Sequence, residues 1–345
     1  MVRLRSVVVS VCLIAVALLG ACARGTGGGG GTGLEATGRP EAARGRGDTL
    51  VCFYAGSLAQ NIKDLERIFE AQHPGVDFRG EASGSQTACR KISELHRECD
   101  ILASADYEVI PQLLFPEWAD WYLVVARNSL VIAYTDKSKY GDEINAQNWY
   151  RILLRPDVRF GRCDPNLAPV GYRTLQMWQL ADLYYKDDLK GQSIAKELEA
   201  ATKKENVLQF VTELLPRLES MAIDYAFVYR SDAMSHNLRF VTLPDEINLS
   251  NEKYADFYKQ AKVEITGKKP GEKVVMEGIP ALYGVTIPKN APNPDLAMDF
   301  MKLLLSEQGR KTLEKGFLVP VFPALTPDIT KVPRELAPLA RQADI

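Results

Sequence analysis

Histidine is scarce in this 345-residue chain. His73, His96 and His236 stand alone, and no H-x-x-x-H or H-E-x-x-H spacing occurs, so a helix-borne hydrolytic metal centre has no ligands. A G-x-S-x-G nucleophile elbow is missing too, which leaves only a Ser-His-Asp set gathered from distant residues as an enzymatic reading. The chain has no excess of positive charge either. Its 42 basic residues face 44 acidic ones, a balance that gives nucleic acid no electrostatic reason to bind. Cysteine is limited to six residues. Four of them, Cys52, Cys89, Cys99 and Cys163, sit singly in apolar or strand-like runs without metal-ligand spacing, and both disulfides and buried thiols stay open for them. No internal repeat is evident.

What is present begins with an export signal over residues 1–21. Arg3 and Arg5 form its charged end, residues 7–19 its apolar segment, and Leu19-Gly20-Ala21-Cys22 has the form of a bacterial lipobox. The apolar run is short for a membrane span, so cleavage before Cys22 and lipidation of its thiol are expected; an ordinary signal peptide with an incidental cysteine is the plainer alternative. Removal of the two arginines leaves 40 basic against 44 acidic residues, a net charge of −4. Residues 22–48 are dominated by glycine and read as a flexible tether.

The following 300 or so residues are enough for one large or two medium domains. Short apolar runs alternate with amphipathic segments: a strand at 50–54, a helix at 58–71 with Ile62, Leu65, Ile68 and Phe69 on one face, a strand at 76–78, a helix at 87–95, a strand at 100–103 and a helix at 109–114. That alternation predicts an α/β fold with open, mostly parallel sheets flanked by helices, whose ligands lie beyond the carboxyl ends of the strands. Asn128-Ser129, between β-rich runs at 118–126 and 130–134, suggests a crossing into a second lobe, and the β-rich segment 280–287 the return. The predicted boundaries are 49–127 plus 284–318 for lobe I and 128–283 for lobe II. The proline-rich stretch 319–345 is expected to wrap the surface or stay loose.

Two consecutive strand-to-helix turns carry serine, Ala55-Gly56-Ser57 and Glu81-Ala82-Ser83-Gly84-Ser85. A serine there is commonly only a helix cap, but two such turns in successive βα units open on one sheet edge and make a pocket of hydroxyls and amides suited to an oxyanion. A third stretch, residues 164–174, has two prolines, an asparagine and a glycine ahead of a helix expected to start near Gly171 and to carry Leu175, Trp178 and Ala181. The mouth of that helix also favours an anion. Arg173, one turn inside, is expected to pair with a carboxylate across the lobes.

Several segments resemble one known family: A-G-S-L from Ala55, E-A-S-G-S from Glu81, A-D-Y from Ala105, N-W-Y from Asn148, R-P-D-V-R-F-G from Arg155, G-Y-R-T from Gly171, L-A-D-L-Y-Y from Leu180 and Y-G-V-T from Tyr283. Over residues 50–318 the chain is similar to the molybdate/tungstate-binding lipoproteins of ABC transporters, in the branch best known from archaea. The resemblance implies a two-lobed periplasmic-binding-protein fold of type II that closes on molybdate or tungstate and delivers it to an ABC permease, as a monomer held at the outer face of the membrane by its lipid, with no cofactor beyond the cargo. It implies anion contacts from Gly56, Ser57, Ser85, Ala168, Pro169, Val170 and Tyr229.

The chain also departs from the family pattern. Archaeal members add two carboxylates that make the bound metal six-coordinate. Here one of those positions is Ala168 and the other falls at or near Val211 in a gap-free register. The segment between Tyr185 and Val211 is shorter than in the family, so Glu213 is a second candidate for that role, and Asp164 is the nearest carboxylate in the loop. The expectation is hydrogen-bonded, tetrahedral capture. The alternative is a sensor or adaptor that keeps the fold without metal-oxyanion affinity.

Overall fold

Alternation of strand and helix from residue 49 onward builds two α/β lobes. The computed structural model describes residues 49–269 and 271–345, so the signal segment, Cys22 and the tether lie outside the described residues. The strands in chain order are β1 (Thr49–Ala55), β2 (Asp77–Ser83), β3 (Ile101–Ser104), β4 (Leu123–Arg127), β5 (Leu130–Tyr134), β6 (Phe160–Cys163) and β7 (Val207–Leu208). They continue with β8 (Tyr225–Tyr229), β9 (Arg239–Thr242), β10 (Lys262–Thr266), β11 (Lys273–Glu277), β12 (Leu282–Thr286), β13 (Val319–Thr326) and β14 (Ala340–Gln342).

Lobe I is a seven-stranded sheet in the order β14-β13-β4-β12-β3-β1-β2, and lobe II a five-stranded sheet in the order β7-β6-β8-β5-β9. The interior strands β3, β5, β8 and β12 are buried along their whole length, as expected for strands covered on both faces. Helices cover them with apolar stripes; Ala59–Gln72 buries Ile62, Leu65 and Phe69 at spacings of three and four. The helix Pro169–Tyr184 is buried on nearly every side. It has the lobe II sheet on one flank and the β10–β11 hairpin on the other, where Tyr172 packs with Val263, Ile265 and Met276.

The chain crosses between lobes at residues 128–129 and returns near residue 281. The crossings lie side by side, with the Asn128 N–H donating to the Ala281 carbonyl at 2.9 Å. All of β12, which the predicted return divides at residue 284, belongs to the lobe I sheet.

Three expectations need correction. The sheets are mixed: β1–β2, β1–β3, β13–β14, β6–β7 and β6–β8 are parallel, while the β12, β4 and β5 pairings in the sheets are antiparallel. The helix that follows the loop at residue 164 begins at Pro169 rather than near Gly171, with proline in the first turn where its missing N–H costs nothing.

The stretch from 319 is not a loose tail. Its β13 pairs antiparallel with β4 and parallel with β14, and the register shifts between Pro320 and Leu325, where the prolines interrupt the ladder. The cysteine question is settled as well: Cys52, Cys89, Cys99 and Cys163 are free and buried.

Leu336, fully buried in the main core, measures how firmly this terminal segment is held. Leu336→Ala is expected to cost about 2–5 kcal/mol in urea unfolding with an unchanged slope. An unmoved midpoint would mean that the segment contributes nothing.

Candidate functional site

Four helical segments start around one cavity of about 20 Å3, a space on the scale of one or two water molecules that suits a compact ion and no sugar or peptide. From lobe I come the turn Gly56–Leu58, which runs into Ala59–Gln72, and the helix Ser85–Ser93; from lobe II come Pro169–Tyr184 and Val211–Glu219. The residues preceding them, Ala55, Gly84, Ala168 and Phe210, all line the cavity, and none caps its helix with a side chain. First-turn N–H groups lack partners inside a helix, so the positive ends of four helical segments meet here.

Hydroxyls complete the lining, and their donor directions follow from their neighbours. Asn128 Oδ1 accepts the Ser129 N–H at 2.9 Å, which fixes its Nδ2 as donor to the Tyr283 hydroxyl at 3.0 Å. The Tyr283 hydroxyl and Ser57 Oγ share a hydrogen bond at 2.8 Å in which either can donate, and with Tyr283 as donor the Ser57 proton is free for the cavity. Ser85 Oγ accepts the Ala105 N–H at 2.9 Å, so its proton is free as well. Ser83 Oγ accepts from Lys91 Nζ at 3.1 Å. Tyr229 lines the far side; burial pushes its phenol up, so it remains a protonated donor while accepting from Arg173 Nη1 at 3.3 Å.

Arg173 lies behind this wall and is spent on a buried ion pair. Its Nη2 is 2.9 Å from Asp106 Oδ2, both side chains are almost wholly buried, and the Tyr172 hydroxyl donates to the same oxygen at 2.5 Å. Asp106 follows β3 in lobe I and Arg173 belongs to lobe II, so the expected pairing across the lobes is present. Gln86 Nε2 donates to the Pro165 carbonyl at 3.1 Å and Arg90 Nη1 to that of Asn166 at 3.1 Å, which brings the lobes together beside the cavity.

Gly56, Ser57, Ser85, Ala168, Pro169, Val170 and Tyr229 all line the cavity. The carboxylate candidates Asp164 and Glu213 do not. Asp164 Oδ1 accepts the Asn166 N–H at 2.8 Å inside the loop, and Glu213 Oε2 accepts the Gln209 N–H at 3.2 Å. Val211, the position of the gap-free register, lines the cavity, where it faces Gly56 of lobe I. Ser83, Gly84, Ala105, Phe210 and Asp232 are lining residues that the sequence reading did not select. Gly84 and Ser83 lie inside the second serine-bearing turn, and Asp232 has a signal in its place three residues after Tyr229, where an acidic side chain folds back on a helix start. Among the described residues no group of three or more His, Cys, Asp or Glu gathers to hold a metal ion.

Two α/β lobes joined by paired crossings and closing on a small cavity define a solute receptor of the periplasmic-binding type. The fold is similar to that of the periplasmic molybdate-binding protein of Azotobacter vinelandii (TM-score 0.55, 16% identity, 78% of this chain and 98% of that one). It is equally similar to the sulfate-binding protein SubI of Mycobacterium tuberculosis (TM-score 0.55, 12% identity, 79% and 87%). The chain belongs to the bacterial extracellular solute-binding protein family, whose profile matches residues 50–318. It is 45% identical to a solute-binding protein of Petrotoga mobilis over 83% of this chain and 88% of the relative. Its identity to the molybdate/tungstate-binding protein WtpA of Thermococcus kodakarensis is 44%, over 76% and 79%. Among the described residues no helix is long and apolar enough to cross a membrane.

Gly84 offers a test of closure. A Cβ there would lie 1.9 Å from the Leu167 carbonyl oxygen of the opposite lobe. Gly84→Ala is expected to hold the lobes apart, raising the radius of gyration in small-angle scattering without loss of the unfolding transition. An unchanged radius would show that the lobes meet differently.

Proposed function

We propose that this protein is an extracytoplasmic receptor that captures a tetrahedral oxyanion, molybdate or tungstate, and hands it to an ABC permease. The observation that carries this reading is the convergence of four uncapped helix starts and three serine hydroxyls on one small cavity with no cationic side chain in its lining. Dipoles and neutral donors hold a dianion in such a place because burial removes the screening of water and strengthens each hydrogen bond. Gly56, Ser57, Ser85, Val170 and Tyr229 donate to the anion, while Ala168 and Pro169 shape the wall. The names of the Thermococcus and Pyrococcus relatives, molybdate/tungstate-binding protein WtpA, support the choice of ion. The protein works as a monomer tethered through a lipid on Cys22, needs no cofactor and catalyses no reaction.

Ala168 and Val211 bring apolar side chains to the positions where the resembling archaeal proteins place carboxylates, so the bound metal keeps only its own four oxygens. X-ray absorption of the molybdate complex is expected to show a four-coordinate metal; a six-coordinate one would overturn this part of the reading. The same two side chains favour a second reading, a sensor that has given up metal-oxyanion affinity.

A thermal-shift panel separates the two. Molybdate or tungstate at a hundred times its dissociation constant adds about 2.7 kcal/mol, a rise of several degrees, whereas a sensor without affinity gives no shift with these ions, sulfate or phosphate. Ser85→Ala removes one hydrogen bond to a charged ligand, worth about 1.5–3 kcal/mol, and is expected to weaken binding about 10- to 100-fold in calorimetry. Unchanged affinity would remove Ser85 from the site.

A further inference from the structure

Asp232 is a carboxylate in the wall of a cavity suited to an anion. It occupies the third position of the helix Arg230–Ser235, and its carboxylate reaches back to the backbone N–H of Tyr229, the residue preceding that helix. This is half of a capping box and accounts for one of its two oxygens. The other, Oδ2, is buried without a partner among the described residues, and the side chain lines the same cavity as Ser57 and Ser85. A cap alone leaves this oxygen unexplained. A buried carboxylate oxygen with no donor is costly if ionised, and more so beside a dianion.

We infer that Asp232 binds the oxyanion in its carboxylic-acid form, donating a hydrogen bond from Oδ2, so that capture of the dianion takes up one proton. The inference rests on the oxyanion reading above. The balance is simple: the Oδ2–H bond forms at the expense of a solvent proton, no bond within the oxyanion breaks, and one negative charge is removed from the cavity wall. Release would return the proton.

Among the described residues no other group is placed to neutralise this charge. Cys163 on β6, Tyr229 at the end of β8 and Tyr283 on β12 feel the Asp232 charge, and burial keeps all three protonated. Among the cations, Arg173 is paired with Asp106 and Lys91 with Glu81. Of the strands packed on the short helix, β5 contributes Tyr134, and β9 contributes Arg239, which pairs with Asp136 and Asp142. Arg230 begins the helix itself and is partly buried. Burial pushes the Asp232 carboxyl up to about 7, only partly opposed by the Tyr229 N–H, so in the empty protein it titrates near neutrality. A dianion alongside raises it further. Binding is then strongest below pH 7, where the proton is already in place, and weakens as pH rises through it.

The test is calorimetry of molybdate binding to the wild-type protein at pH 6, 7 and 8.5, in buffers of different ionisation enthalpy. The expected result is uptake of nearly one proton at pH 8.5, little at pH 6, and an affinity about thirtyfold lower at pH 8.5 than at pH 6, since a linked proton costs tenfold per pH unit above about 7. Asp232→Asn offers a donor at every pH; its affinity should be flat with pH and should exceed that of the wild type at pH 8.5. Equal wild-type affinity at pH 6 and 8.5 without proton uptake would overturn the role of Asp232 and leave the receptor reading standing. So would an extra metal–oxygen contact in X-ray absorption that Asp232→Asn removes, since the carboxylate would then be a ligand. Absence of binding at every pH would remove the receptor reading and this inference with it.

Discussion

The first turn of a helix carries N–H groups that no residue within the helix can satisfy. In this protein four such turns, two from each lobe, face one cavity, and their preceding residues provide no side-chain cap. The rest of the architecture serves to bring them together. The βα units of lobe I place Gly56 and Ser85 at neighbouring strand ends, because β1 is the parallel partner of β2 and Ala55 lies opposite Ser83 in register. In lobe II, β6 and β7 run parallel side by side and lead toward the helices that start at Pro169 and Val211. The serine hydroxyls then add donors without adding charge.

Such a site works only when both lobes contribute, and the structure ties closure to the cavity in two ways. The Asp106–Arg173 pair, with Tyr172 on the same oxygen, joins the lobes behind the cavity wall. This absorbs the one guanidinium that sequence inspection would offer to the anion. Ser57, Tyr283 and Asn128 form a second connection, since the residue that polarises Ser57 is itself bonded to the side chain at the crossing between lobes. A shift of Asn128 at the crossing therefore alters the donor facing the ligand. Gly84 permits the closest approach, its missing Cβ leaving space for the Leu167 carbonyl.

Much of this was legible in the sequence. The apolar periodicity of residues 59–72 and the run at 225–229 specify their elements, and the two serine turns point to an anion site before any contact is known. The β10–β11 hairpin carries its own signal, the alternation Lys262-Val263-Glu264-Ile265-Thr266, which stands apart from the βα pattern. The strand at 319–326 was less legible because Pro320 and Pro323 argue against pairing; β4 tolerates them only across a register shift. Asp232 was hidden for a different reason. Three residues past a strand end, an acidic residue is an ordinary helix cap, and only the position of its second oxygen distinguishes it.

By itself the sequence determined the local elements, the serine-bearing turns and the apolar residues at positions 168 and 211, because periodicity, turn chemistry and residue type are properties of short segments. The tertiary structure decided which carboxylate reaches the cavity. Asp164 and Glu213 were closer to the expected motif positions, yet each accepts a backbone N–H of its own turn and neither lines the cavity, while Asp232 has one oxygen without a partner inside the wall. The availability of a polar atom depends on every donor around it, and those donors come from strands and helices far apart in the chain.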